Sequence, residues 1–259
     1  MNKPSIESGE VEQLRQALAE RTAQLETMTR ELDEFSYSVS HDLRAPLRAI
    51  EGFSKILQED HSGKLDEEAQ RFLKIIDASS RRMTGFLDDL LKLSRLSRQE
   101  VRPSRLKMEL AVNSVWEQLH PESASRNVEL KVSSLPDGWG DPSLIQHVWR
   151  QLLDNALKFT APKGNAIIEI SGTHEPGRVV YRIKDNGVGF DMKCASRLFG
   201  VFQRLHAPEE FHGNGIGLAI VRRSVRRNSG EAWAEAEPGG GATFYFSLPP
   251  AETESEVNR

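Results

Sequence analysis

Four groups of residues have the types and spacing to do chemistry. The first is His41 followed by Asp42, within Ser38–Leu47, with Pro46 close behind. A carboxylate bonded to Nδ1–H would leave Nε2 as a more basic nucleophile. If Val39 and Leu43 face a helical seam, His41 points roughly 160–200° away from them, toward solvent. Pro46 cannot donate the i→i−4 bond, so the carbonyl of Asp42 loses its helical partner and a kink is expected within a turn of His41. An ordinary surface pair remains the alternative. The second group is Gln151, Asn155 and Lys158, spaced i, i+4, i+7 on one helical face beside the apolar stripe Leu144, Val148, Leu152 and Phe159. An amide oxygen next to a lysine suits Mg²⁺ carrying a phosphate chain, because Mg²⁺ is hard and keeps few protein ligands. A plain polar face has the same spacing.

In the third group a carboxylate, Asp185, ends a strand and is followed by Gly187 and Gly189. Glycines allow close approach of a ligand to the backbone, and the carboxylate could accept from the exocyclic amine of adenine. A turn after a strand would look similar. The fourth is Gly213, Gly215 and Gly217, opening a helix whose free N–H groups suit an anion. Leu218 stands where the dinucleotide fingerprint requires a third glycine, and no Walker A sequence occurs, so a P-loop ATPase is excluded. Between the third and fourth groups, Asp191–His212 holds Phe199, Phe202, Arg204 and His206 without strong periodicity, which predicts a mobile lid.

The elements that must position these groups differ along the chain. Val11, Leu14, Leu18, Leu25, Met28, Leu32 and Phe35 fall at heptad a and d positions, with Arg21 the one polar d residue. That pattern predicts a parallel coiled coil of about four heptads, or else a single amphipathic helix lying on the rest of the protein. The stripe continues as Val39, Leu43, Leu47, Ile50 and Leu57. It breaks at residues 61–64, and a second helix carries Phe72, Ile75, Ile76, Met83, Phe86, Leu87, Leu90 and Leu91. Such a hairpin has too small a core to stand alone; two copies would make a four-helix bundle. Ser97–Arg105 has the texture of a linker. Beyond it come strands at Val128–Ser133, Ala166–Ser171, Arg178–Asp185 and Ala242–Leu248, and helices at Pro142–Thr160 and Ile216–Arg227. Outside strict βαβ alternation, these suggest an α/β sandwich with one sheet covered by helices.

Composition narrows the classes. Over 259 residues, Lys+Arg 34 against Asp+Glu 38 gives a net charge of −4, which argues against nucleic-acid binding through bulk charge. Cys194 is the only cysteine, so an intrachain disulfide or a cysteine-based zinc cluster is excluded. The longest charge-free stretch, Pro238–Ala251, is short of the about 20 apolar residues of a membrane span, and the N-terminus lacks a signal peptide's apolar core. No membrane span and a cytoplasmic location are expected.

Taken together and in this order, the four groups resemble the H, N, G1 and G2 boxes of the sensor histidine kinases of two-component signalling. Leu198–His206 resembles the F box of their lid, and Gly241–Phe244 the last glycine box. Phe35–Ile50 is similar to the phytochrome-related branch. The resemblance covers about residues 10–250 and implies an α+β architecture: an N-terminal coiled coil (8–38), a dimerisation and histidine phosphotransfer domain forming a four-helix bundle (35–97), a catalytic ATP-binding domain of the Bergerat (GHKL) α/β sandwich type (104–250), and a disordered tail (251–259). By motif position it makes His41 the phosphoacceptor and Asp42 its acid/base partner. It makes Asn155 the Mg²⁺ ligand, Lys158 a phosphate contact, Asp185 the adenine-binding carboxylate, and Gly187, Gly189, Gly213, Gly215 and Gly217 the nucleotide-loop glycines. ATP and Mg²⁺ are the implied cofactors. A homodimer, a response regulator receiver domain and an upstream sensory input are the implied partners, with no nucleic acid among them.

Three features depart from the family pattern. Gln151 replaces an asparagine, Ala45 stands where many relatives carry a Thr or Asn that positions a hydrolytic water, and Asn228-Ser229 replaces the usual His-Gly. Two readings stay open beside a kinase: a non-catalytic dimeric scaffold, and a GHKL ATPase of the topoisomerase or mismatch-repair type, in which the H-box hairpin has no place.

Overall fold

The structure, a computed structural model, describes residues 5–123, 126–207 and 210–251, and the chain divides into two compact units, Met1–Ser94 and Arg95–Arg259. The tail from residue 252 and the side chains of Leu25, Leu32 and Phe35 lie outside the described residues.

The first unit is helical. Helix α1 runs Ser5–Asp60 with Pro46 inside it, and α2 runs Glu67–Arg98. A single 3₁₀ turn at Ser62–Lys64 separates them. The Asp66 carboxylate accepts the Ala69 N–H at 2.8 Å, capping α2, and Glu67 and Glu68 add negative charge at the positive end of the helix dipole. The helices are cross-linked where Arg44 donates to Asp88 at 2.8 Å and the Thr84 hydroxyl to Glu51 at 2.7 Å.

Packing splits the apolar stripe expected from sequence. Ser40, Leu47 and Ser54, seven residues apart on α1, are buried, as are Ser80 and Leu87 on α2. Leu43, Ile50 and Leu57, also seven apart, are exposed, with Phe53 beside them and Phe72, Ile75, Ile76 and Met83 on α2. A narrow seam lined partly by serine closes the hairpin, and most of the large apolar side chains stay outside it. Val11, Leu14, Leu18 and Met28 are likewise exposed.

The second unit is a sandwich. Strands β2 (Val128–Val132), β4 (Ala166–Glu175), β5 (Arg178–Asp185), β6 (Ala232–Glu237) and β7 (Gly241–Leu248) form a sheet in the order β2-β4-β5-β7-β6. The β2–β4 pair is parallel and the others are antiparallel. Strands β1 (Ser104–Leu106) and β3 (Gly138–Gly140) pair separately. Helices α3 (Met108–Leu119), α4 (Pro142–Phe159) and α5 (Gly217–Arg227) share one core with the inward residues of the sheet. At its centre Trp149 meets Phe246 and Tyr181 edge-on, and the indole N–H donates to Met108 Sδ at 3.1 Å. Alternating burial along β4 and β5 reflects one covered face. This mixed sheet covered by helices is the expected fold of the GHKL type.

The linker expected over 97–105 is shorter than its composition suggested, because α2 continues to Arg98 and β1 begins at Ser104. It is also tied down. Arg227 donates to the carbonyls of Leu96 and Gln99, and the Arg102 N–H to Asp141 at 2.8 Å.

Candidate functional site

Helix α4 carries the second group, and its start is fixed by Asp141. That carboxylate accepts from the Ser143 and Leu144 N–H groups at 2.9 and 3.1 Å and from the Ser143 hydroxyl at 2.7 Å. Burial alone would raise the Asp141 pKa, but these bonds and the one from Arg102 outweigh it and hold the group below its ordinary value. With the register so set, Leu144, Val148, Leu152 and Ala156 enter the core.

Asn155 is buried, and Lys158 Nζ donates to its Oδ1 at 3.0 Å. Burial pushes the Lys158 ammonium below the ordinary lysine range; Asp154 opposes that and Arg204 adds to it. Gln151 turns elsewhere. Its Oε1 lies 2.5 Å from where a Cβ on Gly217 would be, so it rests on the start of α5.

At the end of β5, Asp185 is buried and accepts the Gly187 N–H on Oδ1 at 2.8 Å. Burial raises its pKa to about 6, against the lowering effect of the Gly187 and Ala242 N–H groups. The loop after it is seated on the end of α4, since the Val188 N–H donates to the Phe159 carbonyl at 3.2 Å. A Cβ on Gly187 would lie 2.6 Å from that carbonyl. Gly189 instead packs on the β6–β7 turn; its φ is +62°, and a Cβ there would come within 2.0 Å of the Glu237 carbonyl.

The segment expected to be a lid begins with a 3₁₀ helix, Met192–Arg197, and returns to α4 through a cluster of rings. Phe159, His206 and Phe211 have centroids 5.0–5.4 Å apart. Arg204 donates to the Gly213 carbonyl at 2.7 Å and the Phe211 carbonyl at 2.6 Å, which shapes the glycine loop. A Cβ on Gly213 would lie 3.4 Å from Lys158 Nζ, and Gly215 has φ +70° with the Gln203 carbonyl 2.6 Å from its would-be Cβ. Asn155, Lys158, Asp185, Gly187, Gly213, Gly215 and Gly217 thus converge around the C-terminal half of α4. Phe211 carries no motif signature, and its place in the ring cluster shows only in three dimensions.

The first group lies in the helical unit. His41 Nδ1 and Asp42 Oδ1 are 3.2 Å apart, with side chains 71% and 75% exposed. In the tautomer protonated on Nδ1, that nitrogen donates to Asp42, and Nε2 keeps its lone pair on an open face.

Comparison with known proteins gives this geometry a family. Residues 31–99 match the His Kinase A (phospho-acceptor) domain, and residues 140–252 the histidine kinase-, DNA gyrase B- and HSP90-like ATPase family. The chain is 32% identical over 238 residues to a phytochrome-like protein, Cph1, of Synechocystis sp., which covers 91% of this chain and 32% of that protein. It is 31% identical over 268 residues to the adaptive-response sensory kinase SasA of Synechococcus elongatus, covering 96% of this chain and 69% of the relative. Among solved structures, full-length ShkA in complex with AMPPNP superposes with a TM-score of 0.60 at 26% identity, over 85% of this chain and 46% of that one. The chain spans about a third of the phytochrome-like relative's length. Among the described residues no helix is long and apolar enough to cross a membrane. Both family domains in order, and a relative matched over most of its own length, mean that the chain belongs to the sensor histidine kinases, in their phytochrome-related branch.

Proposed function

We propose that the chain is an ATP-dependent protein histidine kinase that phosphorylates His41 and passes the phosphoryl group to an aspartate of a response regulator. The observation that carries this reading is His41 itself, exposed on α1 with Nδ1 beside Asp42. Asp42 orients the ring and favours the tautomer in which Nε2 is the nucleophile. In the transfer, Nε2 forms a bond to the γ-phosphorus as that atom's bond to the ADP oxygen breaks. Phosphohistidine then donates to a carboxylate of the receiver domain, which restores neutral His41.

The donor set around α4 fits Mg²⁺-ATP. Asp185 would accept from the adenine amine, Lys158 would meet phosphate oxygens, and Asn155 Oδ1 would ligate Mg²⁺. The space over Gly213, where a Cβ would meet only Lys158 Nζ at 3.4 Å, leaves room for a phosphate beside that ammonium. Bound Mg²⁺ supplies charge neutralisation on the phosphate chain.

Function then divides the chain as its motifs do. Residues 8–38 are a coiled coil that receives input, 35–97 the dimerising phosphotransfer domain, and 104–250 the catalytic domain. The exposed stripe Leu43, Ile50 and Leu57 supports a homodimer, because a second hairpin would cover it.

Incubation with γ-labelled ATP tests the reading. Wild type should acquire acid-labile label, and His41→Gln should acquire none while still binding nucleotide. Acid-labile label on His41→Gln would overturn the assignment of His41. A wild type that binds ATP without ever labelling would favour the scaffold.

A further inference from the structure

At the N-terminal end of β6, a cavity of about 380 Å³ is lined by Arg178, Arg222, Arg226, Glu231, Ala232 and Trp233. Its floor is rigid, because Trp233 stacks on Tyr245 at 5.2 Å with the rings 6° from parallel. Arg178 is engaged: it pairs with Glu175 at 2.7 Å and lies over the Trp233 ring. Arg222 and Arg226 are different. They stand one turn apart on α5, and neither guanidinium has a hydrogen bond or ion pair among the described residues. Like charges at i, i+4 repel, so this face of α5 holds charge that an anion would neutralise.

The backbone beside them is open as well. Strand β6 is the edge of the sheet. The Ser247 N–H donates to the Glu231 carbonyl at 2.8 Å, and Trp233 pairs with Tyr245, so the odd-numbered residues exchange bonds with β7. The N–H and C=O groups of Ala232 and Ala234 therefore point away from β7, at Ala232 on a part-exposed edge and at Ala234 on a buried one. Further along, the Ala236 N–H on the same side donates to Met192 Sδ at 3.3 Å, so the edge is closed at that end and part-exposed at Ala232.

We propose that this edge, with Arg222 and Arg226, is a docking site for an extended acidic segment of a partner protein, added to the sheet next to β6. A strand paired there would satisfy the part-exposed groups of Ala232 at the start of β6. Its alternate side chains would fall on the helix-covered side of the sheet, where the two guanidiniums stand. A small anion would meet the guanidiniums and leave the backbone edge unmatched, so the pairing favours a peptide. The site lies away from the nucleotide residues: Ala232 pairs with Phe246, whereas Asp185 pairs with Ala242 at the other end of β7.

The probe is a short labelled peptide of alternating Glu and Thr, titrated into the full chain and followed by fluorescence anisotropy. Binding should weaken about tenfold or more in the Arg222→Gln/Arg226→Gln double variant, with its thermal midpoint unchanged. A peptide methylated on the backbone nitrogens of its pairing edge should lose binding to wild type to a similar degree. The proposal is overturned if the parent peptide does not bind wild type, if the arginine pair makes no difference, or if the methylated peptide binds as well as the parent. Displacement of the parent by inorganic phosphate with no loss on methylation would identify a bare anion pocket instead.

Discussion

Lys158 Nζ and Asn155 Oδ1 are hydrogen-bonded at 3.0 Å across one turn of α4, so the oxygen proposed for Mg²⁺ is held by the ammonium proposed for phosphate. The two groups are a matched set: a phosphate chain drawing Lys158 away would release the Asn155 oxygen. Lys158→Met should therefore weaken ATP binding by about tenfold, the scale of one charge-assisted contact, and Asn155→Ala should abolish labelling. The lowered Lys158 pKa adds a pH signature. Its charge is present below that pKa and is lost as pH rises through it, earlier than for an ordinary lysine. Wild-type affinity for a non-hydrolysable ATP analogue should fall at alkaline pH, and Lys158→Arg should stay flat. Calorimetric titration across pH checks both.

Asp185 gives the opposite dependence. Its folded pKa of about 6 lies above the ordinary 3.8, so the folded chain holds this proton more tightly than the unfolded chain does. The stability it contributes is fully present below about 3.8 and is lost as pH rises through about 6. Above that the ionised group costs about 3 kcal/mol in the nucleotide-free protein. Asp185→Asn should raise the thermal midpoint near neutral pH while weakening nucleotide binding. In wild type, nucleotide affinity should fall as pH drops through about 6, because the acceptor carboxylate is then protonated. Scanning calorimetry and nucleotide titration between mildly acidic and neutral pH read both effects.

The chemistry was more legible in the chain than the scaffold around it. Asn155 and Lys158 share one helical face by their spacing, as a plain polar face would, and Asp185 stands before two glycines; the structure gathers them because α4 ends against the loop after β5. Helix α3 is absent from the sequence reading, although Met108, Val112, Val115 and Leu119 repeat at helical spacing, because it follows a linker-like stretch. Strand β6, Ala232–Glu237, is half alanine, a poor strand former, and only pairing with β7 holds it extended. The division of the α1 stripe could not be read at all. Ser40 and Ser54 are polar by type, yet they line the closed seam, while Leu43 and Ile50 do not.

The departure at Asn228-Ser229 has a local consequence. Helix α5 ends in a Schellman motif: the Gly230 N–H donates to the Val225 carbonyl and the Ser229 N–H to the Arg226 carbonyl, both at 3.0 Å. Ser229 is the left-handed residue, with φ 58°, at the position where glycine carries no Cβ penalty. Ser229→Gly should stabilise the chain by about 1 kcal/mol. Asn228 is less replaceable, because its Oδ1 accepts the buried Asp141 N–H at 2.6 Å and its Nδ2 donates to the Ser224 carbonyl. Asn228→Ala should cost about 1–3 kcal/mol through that unsatisfied amide. Urea denaturation of the two variants compares the effects directly.

The exposed stripe on α1 makes a prediction about assembly. Ile50 is 43% exposed in one chain and sits between Leu43 and Leu57. In a four-helix bundle it would be covered by the second copy, where a charge has no partner. Ile50→Glu should convert a dimer to a monomer by sedimentation velocity, and Lys55→Glu on the same helix should not. A wild type that sediments as a monomer at micromolar concentration would contradict the proposed bundle.

The last prediction separates an active kinase from a scaffold through Gln151. Its Oε1 rests against Gly217, at the mouth of the glycine loop, and it shares the face of α4 with Asn155. Gly217 is not in the left-handed region, so alanine fits its backbone, and the only obstacle is the movable end of Gln151. Gly217→Ala should leave folding stability nearly unchanged, since the better helix former offsets the displaced amide at a scale of about 1 kcal/mol. Gln151→Asn shortens the side chain by one methylene, withdrawing the amide from Gly217 toward Asn155. It also removes a rotatable bond whose ordering costs on the order of 0.5–1 kcal/mol. If Gln151 reaches the metal only through a bridging water or a folded-back side chain, Gln151→Asn should lower the Mg²⁺ concentration for half-maximal labelling of His41. Activity should be present in wild type and absent in Asn155→Ala. Labelling that appears only in Gln151→Asn, with wild type binding ATP but silent at every Mg²⁺ concentration, would mean that this one extra methylene has turned a kinase into a scaffold.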